Sequence, residues 1–271
     1  MITLYRPSGY DSPRASSFAG RSVDDKPLDV ENGSSFKEID TGRIFRYDKE
    51  NNLWIEQKST TGGTGATEPY IEETYDADGN LIGAKLYGYT KIRDSAFYNC
   101  TSLAHVSLPE GLTSIGTTAF AYCTSLALIS LPDGVTNIGS SAFSSCSDLA
   151  LTSLPEGLTS INAETFTDCT SLALISLPES LTSIEMGAFG GCTNLALTSL
   201  PAGITSIDWG AFINCTSLTS ITFKGTPTTI NSAAFNGCTN LTDIKVPWAE
   251  GAVSGAPWGA TNATITYNYT E

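Results

Sequence analysis

Basic side chains are missing over nearly half of the chain: from Asp94 to Phe223, 130 residues, there is no Lys or Arg. Ten acids lie in the same stretch, which carries most of the net charge of −14. Duplex DNA, RNA and anionic bilayers all favour a basic surface, so none is an expected partner. Surface ion pairs cannot stabilise that stretch, and burial with backbone hydrogen bonding must do so instead. Histidine occurs once, as His105. That excludes paired-histidine metal sites and leaves any Ser-His-Asp arrangement dependent on one residue. No Gly-x-x-x-x-Gly-Lys, His-Glu-x-x-His or Gly-x-Ser-x-Gly segment occurs. No apolar run approaches the roughly 20 residues of a spanning helix, so membrane insertion is not expected. The start, Met1 to Ser8, lacks a basic segment followed by an apolar core, so no signal peptide is expected. Cofactor-dependent chemistry and enzyme activity are not expected either.

What is present is a repeat. Phe97, Phe120, Phe143, Phe166, Phe189, Phe212 and Phe235 are each 23 residues apart, and each is followed three residues later by a cysteine, Cys100 to Cys238. These are all seven cysteines of the chain. An odd number at one equivalent position argues against a disulfide framework, and the absence of Cys-x-x-Cys argues against zinc. The thiols read as a ladder of small buried side chains. Within a unit, Leu126, Ile129 and Leu131 follow a Leu-x-x-Ile-x-Leu spacing that places the last two on one side of a short strand. Pro132 ends that strand, and Val135 and Ile138 bracket a second extended piece. Ala142, Phe143 and Cys146 sit at helical spacing and predict a short helical turn. One unit cannot bury this face alone, whereas stacked units form a continuous core. The expected product is a right-handed solenoid with a parallel β-ladder on one side and short helical turns on the other.

The run from Cys123-Thr-Ser-Leu126 through Leu131-Pro132 to Ala142-Phe143-x-x-Cys146 resembles the BspA-type leucine-rich repeat, and the resemblance covers residues 86–248. It implies an extended, non-catalytic recognition scaffold of the kind found in bacterial surface proteins, some protist surface proteins and phage virion proteins.

Around the array, 70–93 reads as an N-terminal cap hairpin, 94–246 as the solenoid and 247–271 as a C-terminal cap with Trp248, Trp258 and Tyr267 over the core. A chain ending just after such a cap is expected to be complete. Asp76-Ala-Asp78-Gly79-Asn80 has the look of a calcium loop, but Leu81 and Tyr87 stand where that loop needs Gly and Glu. Residues 1–30 read as an extended arm, and 31–58 as a small antiparallel β-meander. About 30 residues rarely fold alone, so the meander is expected to pack on a partner or to self-associate into a homo-oligomer. Its Asn32 to Gly42 segment, with Tyr47-Asp48 and Trp54, resembles a short module of tailed-phage virion proteins. That resemblance implies attachment to a virion protein through residues 1–58, with Phe36, Ile39, Phe45, Tyr47 and Trp54 as the attachment residues. The expected function is a virion-attached fibre, tail or capsid-decoration protein that presents the array to a host surface protein or glycan. The alternative is a bacterial cell-surface adhesin or interaction module.

The candidate binding stripe is the third position of the Leu-x-x-Ile-x-Leu strand: His105, Leu128, Leu151, Leu174, Leu197, Ser220 and Asp243. If it points outward on the concave face, four leucines about 4.8 Å apart form an exposed apolar patch. Thr152 and Thr198 at adjoining core positions leave open a local turn that brings Leu151 and Leu197 inward. The acids after each Leu-Pro, Glu110, Asp133, Glu156 and Glu179, read as a solvated edge, with weak calcium binding as the sharper alternative. Residues 59–69, rich in Gly and Thr, read as a linker spanning about 18 Å r.m.s.. Limited proteolysis of the free chain is therefore expected to cut near Gly62–Gly65. Resistance there, with cuts inside the array, would reverse the domain assignment.

Overall fold

A computed structural model describes residues 69–128 and 130–270, together with the backbone of five short strands between Thr3 and Gln57. The chain divides into two compact units, Met1–Glu68 with Tyr75–Asn80, and Pro69–Thr74 with Leu81–Glu271. The first contains a five-stranded sheet of β1 (Thr3–Leu4), β2 (Ser17–Gly20), β3 (Ser35–Glu38), β4 (Ile44–Asp48) and β5 (Leu53–Gln57), paired in that order. β3, β4 and β5 run antiparallel in turn, in the order read from the sequence. β2 joins parallel to β3, and β1 antiparallel to β2, so residues 1–30 contribute two strands. The expected linker, apart from Pro69, lies outside the described residues.

Ahead of the array come β6 (Tyr70–Tyr75) and β7 (Leu81–Tyr87), neighbours in one sheet. Asp76 closes the turn between them. Its Oδ1 accepts the N–H groups of Asp78 and Asn80 at 3.0 and 2.8 Å, and Asn80 Nδ2 donates to Oδ2 at 2.9 Å. These bonds, the Asn80 side chain first, hold the carboxyl below its usual range.

Each 23-residue turn then has three sides. The second extended piece of each unit forms β8 (Lys91–Ile92), then, after β9 (His105–Ser107) of the other face, β10 (Ser114–Ile115), β11 (Asn137–Ile138), β12 (Ser160–Ile161) and β13 (Ser183–Ile184). β14 (Ser199–Leu200) precedes β15 (Ser206–Ile207), and β16 (Ser220–Phe223) precedes β17 (Thr229–Ile230). β18 (Asp243–Lys245) and β19 (Thr264–Thr266) complete the order. The isoleucine ladder is parallel and strictly in register, Ile92–Ile115–Ile138 and then Ile161–Ile184–Ile207–Ile230. Threonines flank it and donate to the carbonyl one turn back, as Thr113 to Thr90 and Thr182 to Thr159, both at 2.9 Å.

The ladder breaks between β11 and β12, where the sequence changes. Gly116 and Gly139 precede the break, and a Cβ on either would lie 2.5 Å from the backbone nitrogen of Asp94 or Thr117, so glycine is required. Later turns carry Asn162, Glu185, Asp208 and Asn231 at this position. At the break Asn162 Nδ2 donates to Ile138 O at 2.6 Å, a carbonyl position that in neighbouring turns takes a backbone N–H.

The third side carries Phe and Cys, and here the structure corrects the sequence reading: among the described residues there is no helix. N–H groups alternate between two acceptors. Ala96, Tyr98 and Cys100 donate to the residue three back, while Ser95, Phe97 and Asn99 donate to Thr117, Ala119 and Ala121 of the next turn. Ser95 and Asn99 have φ of 55° and 58°, and Thr118, Tyr122, Ser141 and Ser145 repeat the pattern. Left-handed residues cost about 1–2 kcal/mol each outside glycine, so inter-turn hydrogen bonding and stacking must outweigh them. Spacing alone cannot distinguish this arrangement from one turn of helix.

Inside, the seven phenylalanine rings stack with centroids 5.0–5.8 Å apart and planes within 12°. Each cysteine from Cys123 onward donates its thiol at 3.0 Å to the phenylalanine carbonyl of the preceding turn. All seven cysteines are thiols, and six are buried. At the far end Trp258 takes the next place in the phenylalanine register: its carbonyl accepts Phe235 N–H at 2.9 Å, and the side chain is fully buried. Trp248 and Phe223 pack beside it, and β19 adds a last parallel rung to β18.

Burial pushes the thiols up, Cys146 to about 12 and Cys238 to about 11, with Cys169, Cys192 and Cys215 well above their ordinary 9.0. The unfolded chain therefore loses these protons first as pH rises past about 9. Stability is intact below that pH and falls through the window up to the folded-state values, by about 1.4 kcal/mol per pH unit for each thiol. Thermal melts at pH 8–11 should show this decline, and Cys146→Ala should make it shallower. Six thiols should stay unlabelled by a thiol reagent at neutral pH until the chain unfolds.

Candidate functional site

Four of the seven stripe residues are not on the surface. Leu128, Leu151, Leu174 and Leu197 are all buried, so the exposed-stripe expectation is withdrawn. His105 is exposed, and Ser220 and Asp243 are half-buried. The cause is a one-residue change of inward register. In the turns of β9, β16 and β18, the core residue after the first leucine is Val106, Ile221 or Ile244, three positions on. In the middle turns it is the leucine two positions on, and the following residue turns out: Thr152 and Thr198 are exposed and Ile175 is 64% exposed. Burying leucine instead of threonine decides the matter at residues 151/152 and 197/198, by about 1.5–3 kcal/mol for a full side chain. At 174/175 both candidates are apolar, and Leu174 stays in line with Leu151 and Leu197 on either side. The altered path also ends the strand ladder: residues 128, 130–131, 151–154 and 174–177 form no strand, and it resumes at β14, paired with β16.

What the structure assembles on this face is a shallow depression of about 640 Å³ between the first two turns. His105, Ser107, Glu110, Ser130 and Asp133 supply its polar lining, and Leu128 lies at its base. The acids after Leu-Pro do form one edge. Glu179 Oε1 takes the Lys224 ammonium at 2.7 Å, two turns further on, and Glu156 Oε2 accepts Glu179 N–H at 3.2 Å. Asp243 pairs with Lys245 at 3.5 Å. Among the described residues no three His, Cys, Asp or Glu side chains gather into a metal-binding group, and no helix is long and apolar enough to cross a membrane. Of the attachment residues, Phe36 faces Phe45 across β3 and β4, and Tyr47 faces Trp54 across β4 and β5, in backbone register. Ile39 lies outside the described residues.

The family model for the BspA type leucine rich repeat region matches residues 90–185 and 159–251, in six copies. The chain belongs to the BspA-type leucine-rich repeat family. Among solved structures, a leucine-rich repeat protein from Eubacterium ventriosum is 20% identical, with TM-score 0.50, over 80% of this chain and 55% of that one. A leucine rich cell surface protein from Faecalibacterium prausnitzii is 24% identical, with TM-score 0.48, over 91% and 77%. The leucine rich repeat protein of T. pallidum is 28% identical, with TM-score 0.39, over 65% and 81%. No curated protein matches the chain.

The side chains that sequence reasoning missed are apolar ones outside the repeat consensus. Met186 and Trp209 are 42% and 50% exposed and occupy one equivalent position, three before the phenylalanine. Asp94, Thr117, Ser140, Ala163 and Ser232 hold it in the other turns, so an unmatched Trp at an outward place was the signal to find. For the stripe, Leu174→Asp should unfold the array, whereas Ile175→Thr, which copies Thr152 and Thr198, should leave the thermal midpoint within a few degrees. Melts of the two variants test the register directly. A stable Leu174→Asp protein would restore the outward reading.

Proposed function

We propose that this protein is a non-catalytic recognition module whose repeat array does the binding and whose residues 1–58 attach it to a carrier. The observation that carries the reading is the division of labour inside each turn. Six of the seven thiols are buried and bonded to carbonyls, and outside them the acids Glu110, Asp133, Glu156 and Glu179 repeat one turn apart in a row, an arrangement suited to contact along a surface. Membership of a family of recognition scaffolds supports the same conclusion. The proposed carrier is a virion, supported by the likeness of residues 32–54 to a module of tailed-phage virion proteins. A bacterial cell surface is the second carrier, since BspA-type arrays also serve there. The bound partner is a host surface protein or glycan, and self-association through residues 1–58 is part of the proposal.

Deletion of residues 1–58 separates these readings. Particles assembled with the truncated protein should lack it while the array itself still melts cooperatively. Full occupancy on the particle after deletion would remove the attachment role, and retention on cells would favour the second carrier.

A further inference from the structure

The isoleucine face carries a feature that the stripe did not anticipate. Beyond the glycine-to-Asn162 change, every turn adds an outward side chain after the buried isoleucine and keeps a hydroxyl before it: Ser183 and Glu185, Ser206 and Asp208, Thr229 and Asn231. These six residues line a trough of about 450 Å³ above Ile184, Ile207 and Ile230. Neighbouring turns are hydrogen-bonded in register, so the two polar rows repeat at about 4.8 Å. Trp209 follows Asp208 in the chain, next to the lining residues but not one of them, and is half exposed, with Met186 one turn before it.

From this arrangement we infer that the trough is a binding site for a neutral, extended oligosaccharide. An exposed indole offers a flat apolar surface to the C–H face of a sugar ring, at small conformational cost. The polar rows supply what ring hydroxyls need, acceptors and donors side by side. Asp208 Oδ1 is held by Trp209 N–H at 2.6 Å, which leaves Oδ2 to accept. Asn231 Oδ1 is held by Ala233 N–H at 3.0 Å, which fixes the carboxamide and leaves Nδ2 to donate. Glu185 is anchored likewise, its Oε2 taking Ala163 N–H at 3.0 Å. The anchored groups are pre-oriented, so little side-chain freedom is lost on binding. No Lys or Arg lies in the sequence between Asp94 and Phe223, and Glu185 and Asp208 repel anions, so a charged polysaccharide such as a uronate does not fit. Met186 beside Trp209 also fits a protein contact, but an apolar protein patch does not require two in-register rows of hydrogen-bonding groups.

The test is isothermal titration of the full chain with cellohexaose, chitohexaose and mannohexaose, and with hexagalacturonate as the anionic control. At least one neutral hexasaccharide should bind, and the uronate should not. Trp209→Ala should weaken binding tenfold or more with an unchanged thermal midpoint, since its side chain is half exposed, and Asn231→Asp, which keeps an acceptor for Ala233 N–H but loses the Nδ2 donor, should do the same. Asn137→Ala, on the same face before the change in sequence, should leave it intact. Failure of all three neutral sugars, or equal binding by wild type and Trp209→Ala, would overturn the site. Neither result bears on attachment through residues 1–58.

Discussion

One row holds the array together: a phenylalanine ring stacked on the ring of the next turn, with a thiol donating to the carbonyl of the turn before. It is buried and unbroken from Cys123 to Cys238, and its carbonyls already accept a local N–H, so the thiol uses their second lone pair. Because ring meets ring at one spacing, the unit length cannot vary by a residue without pulling every later ring out of line. The fixed period of 23 is the sequence record of that constraint. The left-handed residues, the threonine ladder and the isoleucine ladder all follow from holding each turn at the same distance from its neighbour.

Against that constraint, the legible and illegible parts of the fold separate physically. The solenoid, a parallel ladder along it and the aromatic residues at its end were readable, because each rests on which residues are apolar and how far apart they lie; that the ladder runs through the isoleucines and is interrupted on the Leu-x-x-Ile-x-Leu side was not. Trp258 even falls on the phenylalanine register. The Ala-Phe-x-x-Cys segment was misread as helical because a helix and this alternating path both bring the first and last residues to one side. Only the left-handed angles at Ser95, Asn99 and their counterparts tell them apart; Ser, Thr, Tyr and Glu hide them in the early turns, while Asp168, Gly187, Gly191, Gly210, Asn214 and Gly237 at the same places were the legible sign.

The leucine stripe shows a different limit. Spacing alone allowed two inward registers; at 151/152 and 197/198 the leucine is buried over the threonine, and at 174/175 the flanking turns make the choice. Thr152 and Thr198 were the visible evidence, and at Leu174 and Ile175 the evidence was only that both flanking turns had already chosen. A site inferred from one repeat in isolation therefore inherits an error that stacking corrects. The trough went unseen for the complementary reason: it is made by departures from the consensus, which a search for the consensus passes over.

Asn162 has a mechanical consequence. On the isoleucine face the turns before and after it are joined by a side-chain amide instead of backbone strand pairing, and on the opposite face the strand ladder is already absent across residues 151–154 and 174–177. Along one stretch of the array, then, adjacent turns are tied mainly on the phenylalanine side, where Ser141, Phe143 and Ser145 donate to Ala163, Thr165 and Thr167 beside the stacked rings and the thiol. An array pulled lengthwise would extend at this joint first. The load would fall on the phenylalanine side alone, and the ladders on either side would be spared.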